Sequence, residues 1–202
     1  MIMIYIFLVV IIYIFYIIKQ IIETYDIDTF NLINLFNKRN TFATFKVGIH
    51  YKMMNILYKY IYNLKKRINI LEIGAGDGRS SKRFLTYLRL YTNCKYNYDI
   101  NEYYEEYKQE IENNTKDENV NNIHLMPFES IYMKDEKKYD VILLTASSAL
   151  NKDNIVYLKK ISHRNTLFIT INKTPSFISK YFIIVEQHNC SFFLKLYCCV
   201  LK

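Results

Sequence analysis

The sequence predicts a doubly wound α/β fold around a mostly parallel sheet of seven strands, on three observations. Short apolar β-branched runs alternate with stretches of helical period from Gly48 onward. The first of those runs breaks directly into a glycine-rich turn, "LEIGAGDGRSS", Leu71 to Ser81. The chain then closes with two strand-like segments about a polar turn, which reads as an antiparallel hairpin added to the sheet.

The amino terminus stands apart from this pattern. Met1 to Ile18, "MIMIYIFLVVIIYIFYII", carries no charged side chain, and two more isoleucines follow Lys19 and Gln20. At about 1.5 Å per residue such a helix nearly matches a bilayer core of about 30 Å. It has neither the basic start nor the small-residue cleavage site of a signal peptide, so residues 1–22 are expected to be an uncleaved transmembrane anchor. Lys19, Lys38 and Arg39 follow it, which by the positive-inside bias places the remainder in the cytoplasm. Residues 23–47 form a connector without clear period, and 48–202 the domain.

Within that domain, Ile49, Met53, Ile56, Leu57, Tyr60, Ile61 and Leu64 recur at threes and fours and predict an amphipathic helix. Ile68–Ile73 is the first buried strand, and Arg79–Leu90 the helix after the turn. "CKYNYDI" is a second strand ending at Asp99, followed by a charged helix from Glu102 to Glu112. Strands are expected at Asn122–Met126, Tyr139–Thr145 and Thr166–Asn172, with a helix at Ile155–Ile161 before the last of these. "YFIIVEQHNCSFFLKLYCCV" supplies the hairpin.

Composition excludes little but directs attention. Three of the chain's four glycines fall at 74, 76 and 78, against a background rich in Asn, Ile, Lys and Tyr. The net charge of +8 is spread out: Lys and Arg outnumber Asp and Glu 8 to 3 in residues 1–66 and 11 to 6 in 121–202, and fall behind 8 to 10 in 67–120. Diffuse solvated lysines explain this without a nucleic-acid face, which stays open but is not favoured. Cys94, Cys190, Cys198 and Cys199 form no C-x-x-C pair, so a reduced compartment and no metal site are expected.

A glycine turn at the carboxyl end of a central strand is where open α/β sheets bind ligands. One glycine would close such a turn; three in alternation leave the backbone open to a ligand and accept φ > 0. The spacing is G-x-G-x-G, with Arg79 where a dinucleotide fingerprint has its third glycine and no Gly-Lys-Ser/Thr of a P-loop. With Glu72 two residues before Gly74, this stretch resembles motif I of the class I, seven-strand S-adenosylmethionine-dependent methyltransferases. The resemblance spans roughly residues 49–202.

It implies S-adenosylmethionine as cofactor, held by Glu72, Gly74, Ala75, Gly76 and Gly78. It further implies that Asp99 takes the ribose hydroxyls beside Ile100, that Phe128 and Glu129 of "MPFES" meet the adenine, and that Thr145 borders the methionine part. Arg164 and Asn165 stand where the family has a Gly-Gly turn before strand five. A sulfonium methyl is already activated, so the protein mainly positions the nucleophile and excludes water. A base is needed only for a protonated acceptor. His188, in the hairpin, is the candidate, with His50 and Tyr51 as candidates in a lid, whereas His163 is expected at the wrong end of the sheet. No Asn-Pro-Pro-Tyr or Asp-Pro-Pro-Tyr loop follows strand four, where "TASSALNKDN" stands.

The expected function is a membrane-anchored methyltransferase acting on a lipid, small molecule or protein side chain. The alternative is a catalytically degenerate relative that binds cofactor or a partner without turnover, and a third reading is a domain for another nucleotide. Catalytic residues and oligomeric state stay open.

Overall fold

The computed structural model describes residues 2–24, 47–62, 64, 66–134, 137–145, 151–172, 178–190 and 195–202. Most of the expected connector, 23–47, and positions 146–150 of "TASSALNKDN" lie outside them.

Helix α1, Ile2–Thr24, is uncharged as far as Ile18, and Tyr5, Phe7 and Phe15 are each more than 60% exposed. Side chains are described for 5–19 and for Ile21 and Ile22, and within the described residues no helix is long and apolar enough to cross a membrane. The span expected over 1–22 is therefore not among the structure's elements.

The domain opens with α2, Val47–Ile61. Ile49, Met53, Ile56, Leu57 and Ile61 are buried as their spacing predicts, and His50 and Met54 join them, while Tyr60 and Leu64 are exposed. There follow β1 (Ile68–Ile73), α3 (Arg79–Tyr91), β2 (Tyr96–Glu102), a 3₁₀ turn (Glu105–Tyr107) and α4 (Lys108–Thr115). Next come β3 (Asn122–Leu125), α5 (Glu129–Lys134), β4 (Tyr139–Leu144), α6 (Ile155–Lys160), β5 (Ser162–Asn172), α7 (Ile178–Tyr181), β6 (Phe182–Asn189) and β7 (Lys195–Leu201).

The seven strands form one sheet in the order β3-β2-β1-β4-β5-β7-β6. β1 to β5 are parallel, and β7 runs antiparallel to both β5 and β6. The chain thus winds outward from β1 in both directions, and the hairpin inserts its second strand beside β5. Alternation along each strand feeds two cores. Ile68, Ile70, Tyr98, Ile100, Val141 and Leu143 pack under α2, α3 and α4. Leu71, Ile73, Ile142, Leu144 and Phe168 pack under α5, α6 and α7 on the other face.

Three boundaries depart from expectation, each for a pairing reason. β2 does not end at Asp99: Ile100, Asn101 and Glu102 continue the ladder with Ile123, His124 and Leu125 of β3. The charged helix accordingly starts later, with its first turn tightened to 3₁₀. β5 begins at Ser162, opposite Tyr139, and its register shifts before Leu167 meets Val141, so Arg164 and Asn165 sit within an irregular strand instead of a free turn. The short helices α5 and α7, of six and four residues, carry too few residues to show a period in the sequence.

Candidate functional site

β1 is an interior strand, flanked by β2 and β4, and delivers its last residue, Ile73, into the turn. Gly74, Gly76 and Gly78 have φ of 78°, 58° and 82°, the left-handed region that a Cβ disfavours. The turn is fixed by its neighbours. The Asn101 carbonyl accepts from both Gly74 N, at 2.9 Å, and Ala75 N, at 3.2 Å. Thr145, one residue beyond β4, donates its hydroxyl to the Gly74 carbonyl at 2.8 Å.

Gly78 is also required by packing. A Cβ there would stand 2.9 Å from the Ile111 Cα, so α4 packs directly against the turn.

Glu72 is fully buried beneath the turn. Ser80 donates to its Oε1 at 2.8 Å and the Tyr98 hydroxyl to its Oε2 at 2.9 Å. Burial pushes its carboxyl above the ordinary range, against hydrogen bonds from Ser80, Tyr98 and Thr145 that favour the ionised form. It ties β1 to α3 and β2, so its oxygens are spent inside the fold.

Asp99 is not at the turn. It faces the opposite side of the sheet, fully buried, where Asn122 Nδ2 donates to Oδ1 at 3.0 Å. Lys137 Nζ and the Tyr139 hydroxyl reach Oδ2 at 2.6 and 2.8 Å, and His124 Nε2 stands 3.8 Å away. Burial alone would raise its pKa, but the nearby His124, the hydrogen bonds from Lys137 and Tyr139 and the charge of Lys137 hold it at about 2.

The acid that does meet the turn is Glu102, which the sequence reading placed at the start of a helix. Its Oε2 accepts from Gly76 N at 2.7 Å, and its Oε1 from the backbone N–H of Tyr103 at 2.8 Å and of Tyr104 at 3.2 Å. Tyr103 and Tyr104 follow at the rim, edge to face at 5.0 Å. A signal was available: Glu102 shares the strand parity of Tyr98 and Ile100, on the face where the helix after the turn packs.

Ile100 is fully buried in the core cluster that also holds Ile70 and Phe84. Phe128 likewise packs into the opposite core with Leu71 and Ile73, while Glu129 is half-buried at the start of α5. His188 lies on β6, the edge strand, separated from β1 by β7, β5 and β4. Its Nε2 is 3.1 Å from Glu186 Oε2, a carboxylate that also takes Lys59 at 3.0 Å. His163 pairs with Asp140 at 3.1 Å, away from the turn. His50 is buried in α2, its Nδ1 3.1 Å from Arg83 NH1. Among the described residues no group of His, Cys, Asp or Glu gathers as metal ligands.

Strand order and a G-x-G-x-G turn at the end of β1 decide the architecture. The fold is that of the class I S-adenosylmethionine-dependent methyltransferases. No family model and no curated sequence matches the chain, so the likeness lies in three-dimensional structure. The ribosomal protein L11 methylase of Lactobacillus delbrueckii subsp. bulgaricus is similar, with a TM-score of 0.56 at 14% identity over 76% of this chain and 79% of that one. A putative class I S-adenosylmethionine-dependent methyltransferase from Listeria monocytogenes gives 0.57 at 10% identity, over 76% of this chain and only 59% of its own length. Precorrin-6y C5,15-methyltransferase from Geobacter metallireducens gives 0.53 at 12% identity, over 77% and 87%. Within this methyltransferase fold, the glycine turn, Glu102 and Thr145 form one constellation, and Asp99 and His188 fall outside it.

Proposed function

We propose that the chain is an S-adenosylmethionine-dependent methyltransferase held at a membrane by its amino-terminal helix, with the domain in the cytoplasm. The observation that carries the catalytic part is the left-handed G-x-G-x-G turn closing β1 beside a carboxylate at the end of β2. Gly74 and Gly76 let the backbone approach the methionine part of the cofactor. Glu102 takes the ribose hydroxyls: a carboxylate accepts two hydrogen bonds from a diol, and this one exchanges its contact with Gly76 N for them. Tyr103, which is 61% exposed next to it, offers a ring face to the adenine. Thr145 borders the methyl-donor end. The chain's task is positioning and water exclusion, since the sulfonium methyl is already activated. The acceptor is a lipid, a small molecule or a protein side chain.

The membrane part is supported by the uncharged run Met1 to Ile18. Calorimetry on the full chain should show S-adenosylmethionine binding at micromolar strength and far ahead of NAD and ATP. NAD binding the tighter would overturn the reading, and binding without methyl transfer to any acceptor would favour the degenerate one. In a eukaryotic host Asn113, Asn172 and Asn189, each in an Asn-x-Ser/Thr acceptor, should stay unglycosylated. Glycan on them would reverse the topology, and release by alkaline carbonate would remove the anchor.

A further inference from the structure

α2 and α3 lie side by side, and a seam of tyrosines runs between them. Tyr51, Tyr58 and Tyr62 recur at steps of seven and four, which sets them on one stripe of α2 and the residue just past it, with Asn55 in between. From α3 the Tyr87 hydroxyl donates to Asn55 at 2.8 Å, and Tyr91 follows Tyr87 by four. Ring meets ring along the seam: Tyr51 and Tyr87 at 6.1 Å, Tyr87 and Tyr91 at 4.7 Å, Tyr58 and Tyr62 at 5.3 Å. Burial raises the Tyr87 hydroxyl, and the nearby Tyr58, Tyr91 and Tyr51 raise it further, which puts Tyr87 in the middle of the group. Tyr51, Tyr62 and Tyr91 are each more than half exposed, and Leu90, which lines the same groove, is 60% exposed.

The charge around the seam is of one sign. Residues 47–67 and 78–98, which contain α2 and α3, hold ten Lys and Arg and no Asp or Glu. Acids from elsewhere in the fold pair with four of these cations: Glu186 with Lys59, Asp140 with Lys66, Asp77 with Arg79 and Glu118 with Arg89. A carboxylate on Arg83 as well would still leave cations in excess. Lys52, Lys82 and Lys95 are exposed, and the Lys52 ammonium is held by an uncharged acceptor, the Asn189 carbonyl, at 3.4 Å.

We propose that the tyrosine seam is a docking face for an anionic membrane surface, with its rings at the level of the lipid headgroups and the flanking lysines on the lipids' negative groups. Phenol rings settle at the polar boundary of a bilayer because one end is apolar and the other hydrogen-bonds. Lysines beside them gain from the negative potential of anionic lipid. Leu90 adds apolar area of no use to a nucleic acid, and Tyr58 and Tyr62, stacked on each other at 23°, have each spent a ring face that a base would need. The proposal deepens the membrane part of the function proposed above by naming the face that the domain presents, and it is tested apart from the anchor.

The chain has no tryptophan, so a single introduced one reports its own surroundings. Tyr62→Trp places it in the seam, and Val156→Trp places it on α6, across the sheet, at a position 38% exposed. The full chain is reconstituted in phosphatidylcholine vesicles with or without about 30% phosphatidylserine, each doped with a lipid spin-labelled near its headgroup. With phosphatidylserine, quenching should be roughly threefold stronger for Tyr62→Trp than for Val156→Trp, and should fall in phosphatidylcholine alone or as salt rises from about 0.1 M to about 0.5 M. Adding Lys52→Glu and Lys82→Glu should bring it to the Val156→Trp level with circular dichroism unchanged. Equal quenching at the two positions, or indifference to phosphatidylserine and to the lysine changes, would overturn the docking face, and a chain that still resisted alkaline carbonate would keep its anchor. Seam quenching in a chain that carbonate releases would keep the docking face and remove the anchor. Emission that follows added polyuridylate, or protein concentration at fixed lipid, in place of phosphatidylserine would assign the seam to single-stranded RNA or to a second copy of the chain and overturn the proposal.

Discussion

Asp99 and Glu102 stand three residues apart on β2 and do opposite work. Asp99 turns to the face of α5 and α6 and is enclosed by Asn122, Lys137 and Tyr139. Glu102 turns to the face of α3 and α4 and accepts from Gly76 N. An odd separation on a strand sends two side chains to opposite faces, and a further step along the axis carries the second one to the sheet's rim. The buried acid is satisfied by fixed partners within the protein. Glu102 is buried too, at 6% exposure, but is held by backbone N–H groups of the turn and of Tyr103 and Tyr104 instead of by side chains.

The strongest way to break this contrast is at the turn itself. Gly78→Val should destabilise by about 3 to 4 kcal/mol, combining the left-handed φ with a clash against the Ile111 backbone. Urea unfolding reads it, and a midpoint near that of the parent chain would mean that α4 does not press on the turn.

Next in size is Asp99→Ala, which leaves the Lys137 ammonium, on a side chain only 18% exposed, without its carboxylate. A loss of about 3 kcal/mol is expected, with S-adenosylmethionine affinity unchanged in the folded fraction. The same cluster sets an acid limit. Asp99 titrates at about 2 in the folded state and at 3.8 in a free chain, so its stabilisation is complete above 3.8 and is lost as the pH falls through about 2. Asp99→Asn should flatten the stability profile across that window. A cofactor defect in Asp99→Ala without instability would return the ribose to Asp99.

Glu102→Gln sharpens the contrast from the other side. S-adenosylmethionine affinity should fall by about 1.5 to 3 kcal/mol, the worth of a charged hydrogen bond, and unfolding should change less. Calorimetry beside urea unfolding separates the two effects. The smallest effect belongs to His188→Gln: an exposed pair with Glu186 contributes less than about 1 kcal/mol, and cofactor binding and methyl transfer should both persist. Loss of transfer alone would bring the edge strand into the chemistry.

The sequence by itself determined the alternation of strands and helices, the terminal hairpin, the turn after β1 and its glycine spacing, because these are local patterns of period and backbone freedom. It also showed Met1 to Ile18 as an uncharged apolar run. The tertiary structure alone decided which acid belongs to the turn, since that depends on where β2 stops, and β2 stops where β3 ceases to pair with it. It alone showed that Gly78 makes room for α4, that Ile100 and Phe128 are core, and that His188 sits four strands from β1. Each of these rests on contacts between residues distant in the chain, which no local window of the sequence contains.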